Sequence, residues 1–154
     1  ATRLLGFKYG VLIGFIDVLK GIAAVLIVKW LYSDNAYLMF IAGAACMVGH
    51  IFPFYLQFKG GKGVATTIGL LLAAEFSLGI TAVIIIAAVT LITNYVALGS
   101  VIVYLLLPLG TYFLGYTYEI VLISIFICAL GIYKHKSNII RLIHGKENRL
   151  IKKK

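Results

Sequence analysis

The stretch Glu75-Phe76-Ser77-Leu78-Gly79 interrupts an apolar run that extends from Val64 to Thr93. At about 30 residues the run exceeds the roughly 20 needed for one straight bilayer crossing. A polar break at its middle, with Ser77 placed as a helix N-cap, predicts two short helices and not one. That division sets the number of crossings and therefore the side on which every loop emerges.

The rest of the 154-residue chain reads the same way. It is 62% hydrophobic and only 12% charged, with a mean hydropathy of +1.06, whereas soluble domains carry about 25% charge. Apolar runs cover roughly Tyr9–Tyr32, Ala36–Leu56, Val64–Thr93, Ala97–Leu114 and Glu119–Tyr133. Splitting the third run predicts an all-α, polytopic transmembrane helix bundle with about six crossings, as a single integral membrane domain over residues 1–154. With six, Arg3, Lys8, Lys59, Lys62, Asn94 and the tail from Lys134 share one side, and Asp34, Glu75 and Glu119 share the other. With five, the tail's eight of 14 basic residues would lie outside, against the positive-inside bias. The basic side is therefore assigned to the cytoplasm. Residues 134–154 form a basic cytoplasmic tail, and its stretch from Lys134 to Gly145 is expected to be an interfacial helix with Gly145 at its C-cap.

The formal charge of +9 does not call for nucleic acid, because the lysines and arginines cluster at span ends, where they meet anionic headgroups. Cys46 and Cys128 lie inside apolar runs and are read as buried side chains, neither a disulfide nor a metal pair. No metal cluster and no cofactor are expected, since carboxylates are scarce and mostly on the far face. The chain opens at Ala1 without a signal peptide, and a preceding N-terminal segment is expected.

Chemistry concentrates in Gln57-Phe58-Lys59-Gly60-Gly61-Lys62-Gly63-Val64-Ala65-Thr66, a glycine-rich, doubly basic loop entering a helix. Glycines let backbone N–H groups approach an anion, and the helix N-terminus and lysines add positive potential. Its spacing is not that of a Walker A loop, and an ordinary tight turn accounts for the same residues. His135 and Asn138 stand three apart on one helical face, with Arg141 three further on. His50 lies within the second span, and Asp17 with Lys20 forms an intramembrane i, i+3 pair. Asn94, Tyr95 and Ser100 mark the turn between the fourth and fifth spans. Arg3, Lys59, Lys62, His135, Lys136 and Arg141 thus make a cytoplasmic face with almost no carboxylate, suited to anions. Neither a Ser-His-Asp set nor the H-x4-D pattern of acyl-CoA-dependent glycerolipid acyltransferases is present.

The run from Gly49-His50 through Lys59-Gly60-Gly61-Lys62-Gly63-Val64-Ala65-Thr66 resembles the G-H-x-F-P-x-F-x-x-F-K-G-G-K-G-V-A-T signature of the bacterial acyl-phosphate-dependent glycerol-3-phosphate acyltransferase family, PlsY. Arg3 to Gly10, Asp17 to Gly21, Tyr95 to Ser100, and His135 to Asn138 with Arg141 agree with it too. The family's first span and its Ser-Gly-Asn-x-Gly-Ala-Thr-Asn loop have no counterpart here, and a complete member would have seven crossings. Asn94 and Ala97 stand where that pattern has Arg and Ser. The resemblance implies transfer of an acyl group from acyl phosphate to glycerol 3-phosphate, giving lysophosphatidic acid and phosphate at the cytoplasmic face of the bacterial inner membrane. An acyl-phosphate-producing enzyme is then a candidate partner. It also implies that Lys62, Arg3, His135 and Asn138 carry the reaction, with Lys59, Gly60, Gly61, Gly63, Ser100 and His50 binding substrate. An acyl phosphate is already activated, so direct attack by the glycerol hydroxyl is expected, a substrate phosphate oxygen taking the proton unless His135 does. Two rivals remain from the residues alone: an anion or phosphate carrier subunit, and a membrane lipid phosphatase.

Overall fold

A computed structural model describes residues 7–33 and 35–151, so Arg3, Asp34 and Lys152 to Lys154 lie outside the described residues. Among those described there is no strand. The helices are α1 (Phe7–Tyr32), α2 (Ala36–Ile51), α3 (Val64–Ala74), α4 (Phe76–Thr93), α5 (Val96–Phe113), α6 (Tyr118–Lys134) and α7 (Lys136–Ile143), with a 3-10 turn over Phe54–Leu56. Four are long and apolar enough to cross a membrane: α1, α2 with its extension to Leu56, α4 and α5. The α6 and α7 pair also passes when taken together, bent by 60°. Their outward faces are apolar where a soluble protein is polar; Trp30, Leu91 and Ile92 are each 84% exposed. The chain is a multi-pass membrane protein of the all-α class.

The long third run is broken where expected, between α3 and α4. The cap differs from the expectation. Glu75 occupies the extended position before α4, and its Oε1 accepts from the Ser77 N–H at 3.3 Å and from the Ser77 hydroxyl at 2.8 Å. A carboxylate at the N-terminus of a helix also meets the positive end of the dipole, which explains why Glu75 and not Ser77 takes the capping role. At 11 residues, α3 is about 16 Å long, roughly half the hydrocarbon thickness.

The chain forms two compact units, residues 1–79 and 80–154. In the first, α1, α2 and α3 pack on one another. Gly21 of α1 lies against the Thr66 carbonyl and the Leu70 nitrogen of α3, and Gly69 of α3 lies against Val18 and Ile22 of α1. Between helices in lipid, where no hydrophobic effect drives association, such bare backbone contact is what brings segments together. Met39, Phe40, Met47, Ile51, Leu70 and Leu71 fill the interior.

In the second unit α5 packs along α6, and α7 touches both. Thr111 and Ser124, both buried, share a 2.8 Å hydroxyl contact between α5 and α6, and Gly131 admits the Tyr104 ring. Asn94, with φ +64°, forms the turn before α5. Its side-chain amide pairs in both directions with the backbone of Ile151, at 2.8 and 2.9 Å, and its carbonyl accepts from Leu150 N–H at 2.9 Å. Residues 150–151 are thereby tied back to the α4–α5 turn.

Candidate functional site

Two polar clusters interrupt the apolar interior, one in each unit.

The first is built around the glycine loop. After α2 ends, the chain doubles back through the 3-10 turn, with Gln57 and Phe58 both left-handed at φ +51° and +61°. The returning strand of loop is fixed by two hydrogen bonds: Gly60 N–H donates to the Ile51 carbonyl at 3.1 Å and Gly61 N–H to the His50 carbonyl at 3.2 Å. These satisfy the terminal carbonyls of α2, which have no partner within their own helix. The two N–H groups offered to a phosphate in the sequence reading are therefore committed to shaping the loop. Any side chain on Gly60 would overlap the His50 carbonyl, and any on Gly61 the His50 ring. Gly63, at φ +82°, is the left-handed N-cap of α3. Beyond it the first N–H groups of α3, at Val64, Ala65 and Thr66, have no carbonyl in their own helix and carry the positive end of its dipole. Thr66 Oγ1 donates to the Gly63 carbonyl at 2.8 Å, which keeps this turn tight. Lys62 is half-buried at the mouth of that helix, and Lys59 is exposed.

Behind the loop, Asp17 and Lys20 form an ion pair at 2.6 Å, as their spacing predicts. His50 joins them, its Nδ1 lying 2.7 Å from Lys20 Nζ and 3.3 Å from Asp17 Oδ1.

The second cluster surrounds the junction of α6 and α7. His135 is the residue shared by the two helix ends and is 2% exposed. Its Nδ1 lies 2.8 Å from the Gly131 carbonyl. A carbonyl can only accept, so Nδ1 carries the proton and Nε2 is the lone-pair nitrogen of the neutral ring. Tyr104, fully buried, sets the ring's tilt with centroids 5.8 Å apart. Ser100 is buried at the start of α5, its hydroxyl donating to the Val96 carbonyl at 3.1 Å, which leaves its oxygen as an acceptor.

Asn138 and Arg141 do share one side of α7, and there a carboxylate joins the face expected to have almost none. Glu147, buried, accepts from Asn138 Nδ2 at 2.9 Å and from Arg141 Nε at 2.8 Å. Arg141 is thus paired with an internal acid, and Asn138 has its amide orientation fixed, with Oδ1 as the acceptor end. Sequence reading missed Glu147 because it lies beyond Gly145, past the expected end of the tail helix. The signal was Gly145 itself, left-handed at φ +64°, which turns the chain so that Lys146 N–H donates to the Arg141 carbonyl at 2.7 Å and the next residue faces α7.

Burial works to raise the Glu147 carboxyl, but the hydrogen bonds from Arg141 and Asn138 outweigh it and hold the group below the ordinary carboxylate range. A carboxyl depressed by folding stabilises the native state above its unfolded pKa, about 4.3, and loses that contribution as pH falls through the folded value. Glu147→Gln is accordingly expected to lower the unfolding temperature at pH 7, with the gap to the parent closing below about pH 4. Thermal unfolding of detergent-purified protein between pH 7 and 3 measures this; a gap that stays constant across that range would contradict the assignment.

Among the described residues no group of three His, Cys, Asp or Glu side chains stands together as a metal site. The family model described as glycerol-3-phosphate acyltransferase matches residues 1–145. A glycerol-3-phosphate acyltransferase from Endomicrobium trichonymphae is 41% identical over 148 residues, covering 96% of this chain and 74% of the relative. One from Aquifex aeolicus (strain VF5) is 37% identical over 148 residues, covering 96% and 77%. The crystal structure of PlsY (YgiH), an integral membrane glycerol 3-phosphate acyltransferase in its glycerol 3-phosphate form, superposes with a TM-score of 0.90 at 37% identity, covering 97% of this chain and 75% of that one. Its lysophosphatidic acid form gives 0.88 at the same identity, covering 96% and 76%. A glycine loop fixed against α2, a histidine of set tautomer at a helix junction and a multi-pass apolar frame therefore sit in a chain that belongs to the glycerol-3-phosphate acyltransferase family.

Proposed function

We propose that this chain moves a fatty acyl group from acyl phosphate to the 1-hydroxyl of glycerol 3-phosphate, giving lysophosphatidic acid and inorganic phosphate. The observation that carries this is the Gly60–Gly63 loop, whose fixed backbone leads through Lys62 to the first N–H groups of α3. An acyl phosphate supplies both an anion for such a loop and a good leaving group, so no protein nucleophile is required. The relatives solved in glycerol 3-phosphate and lysophosphatidic acid forms support the acceptor and the product.

In this reading Lys62, with the first N–H groups of α3, holds the phosphate of the donor and stabilises the charge that grows on it as it departs. Gly60 and Gly61 shape the loop, Gly63 starts the helix, and Lys59 draws anions toward it. His135 Nε2 and Asn138 Oδ1 accept from the glycerol hydroxyls, with Ser100 as a further acceptor. Arg3 clamps a phosphate in bidentate fashion. The 1-hydroxyl oxygen forms a bond to the acyl carbon, the bond from that carbon to the phosphate oxygen breaks, and the hydroxyl proton ends on the leaving phosphate. In this reading the glycine loop, with its two lysines, faces the cytoplasm at the bacterial inner membrane, in keeping with the positive-inside bias.

The test is a purified full-length protein with acyl phosphate and glycerol 3-phosphate, with acyl-CoA as control donor. Lysophosphatidate and phosphate are expected in equal amounts from acyl phosphate, and no product from acyl-CoA. Turnover with acyl-CoA alone overturns the donor assignment, and phosphate release without lysophosphatidate points to a phosphatase instead.

A further inference from the structure

At eight residues, α7 is too short to hold a helical conformation by itself, so it depends on what ties it down. It bends off α6 by 60°, and that bend sets where Asn138 stands relative to Ser100 on α5. Past Gly145 the chain turns back along α7 as a strap. Lys146 N–H donates to the Arg141 carbonyl at 2.7 Å, and Glu147 accepts from Asn138 Nδ2 and Arg141 Nε at 2.9 and 2.8 Å. Those contacts join the strap to α7 alone. Its far end is held by Asn94, a residue 57 positions before Ile151. Asn94 Nδ2 donates to the Ile151 carbonyl at 2.8 Å, Asn94 Oδ1 accepts from the Ile151 N–H at 2.9 Å, and the Asn94 carbonyl accepts from the Leu150 N–H at 2.9 Å. The Leu150 and Ile151 side chains are 53% and 71% exposed, so hydrogen bonding and not packing sets the course of this end. An amide side chain offers a donor and an acceptor side by side, and asparagine tolerates the left-handed φ of +64° found here. Both properties are used at once. Val96, two residues on, begins α5, which carries Ser100.

We infer that Asn94 is a positioning residue: by closing the strap over residues 146–151 it holds α7 against the start of α5 and so sets the spacing of Asn138 and Ser100 around the acceptor. The inference rests on the reading that these two side chains receive the glycerol hydroxyls. Asn94 touches no reacting atom; it acts through the strap.

The experiment uses full-length protein in detergent, assayed with acyl phosphate and glycerol 3-phosphate. Asn94→Gly keeps the left-handed backbone and deletes the amide, whereas Ile151→Pro keeps Asn94 and deletes the N–H that its Oδ1 accepts. Each is expected to raise the KM for glycerol 3-phosphate about fivefold, on the scale of one hydrogen bond, with the KM for acyl phosphate changed less than about twofold. The double variant should be no worse than either alone, because both remove the same clasp. Ile151→Ala, which keeps the N–H and loses only an exposed side chain, is expected to match the parent. In the unsubstituted protein the Ile151 amide is expected to be protected from hydrogen exchange, and to lose that protection in Asn94→Gly. An unchanged KM for glycerol 3-phosphate in both single variants, an equal rise in both KM values, effects that add in the double variant, or an unprotected Ile151 amide in the parent would each overturn the inference; the amide decides even where a variant fails to fold. His135→Ala separates the two levels. If it raises the KM for glycerol 3-phosphate while Asn94→Gly and Ile151→Pro keep the parental value, the strap alone falls; if it turns over normally, the acceptor reading falls with it.

Discussion

Lys62→Ala, made in the full-length protein, is expected to reduce acyl transfer by about 10²- to 10³-fold, the cost of removing one preorganised donor from a charge-developing centre. The loss should fall mainly on kcat. The alanine removes the full charge at the mouth of α3, while the Gly60 and Gly61 hydrogen bonds to α2 and the tight Thr66 turn stay in place. Folding should therefore survive, and the variant should elute and melt like its parent. Lysophosphatidate formation under saturating substrates is the measurement. Turnover within about threefold of the parent would remove Lys62 from the mechanism, because no effect that small is consistent with a group on the departing phosphate.

His135→Ala is expected to lower kcat/KM by about 10²-fold, the scale on which misplaced reactants lose rate. The burden here should fall on the acceptor: the KM for glycerol 3-phosphate rises by about tenfold or more, while that for acyl phosphate moves little. The reason lies in the ring's tautomer. Its Nδ1–H donates to the Gly131 carbonyl, so the opposite nitrogen is an acceptor, suited to a hydroxyl and not to an anion. A variant whose defect appears only in acyl phosphate affinity would contradict that assignment. The substitution also deletes a buried ring against Tyr104, so stability must be measured in parallel; glycerol 3-phosphate affinity in His135→Asn, which keeps a shorter polar side chain there, gives the second reading.

What the sequence could and could not disclose follows from distance along the chain. The α3–α4 break was readable at Glu75 to Gly79, because helix punctuation is local, and so was the pairing of Asp17 with Lys20, because i, i+3 neighbours meet in any helix. Local pattern put the wrong residue at the cap, since Ser77 has the usual capping side chain while the longer Glu75 lies two residues earlier. The addition of His50 to the ion pair was not readable; it depends on α1 packing against α2, which no spacing encodes. The same holds for Glu147. Its partners lie nine and six residues earlier, beyond helical reach, and are brought together by one left-handed glycine. The glycine loop illustrates the opposite case. Its composition points to an anion site, yet the direction of each N–H is a tertiary fact, and two of the donors face α2.

The reciprocal seating of Gly21 and Gly69 has a bearing on mutational tolerance. Each glycine lies on the other helix's main chain, so neither position can accept even a methyl group unless two backbones separate, and no rotamer elsewhere can relieve the overlap. Random mutagenesis should consequently uncover a stripe of intolerant sites along α1 and α3 among neighbours that face lipid and accept many apolar replacements. Such a stripe reports how tightly two segments are pressed together and should not be mistaken for a second place where substrate binds.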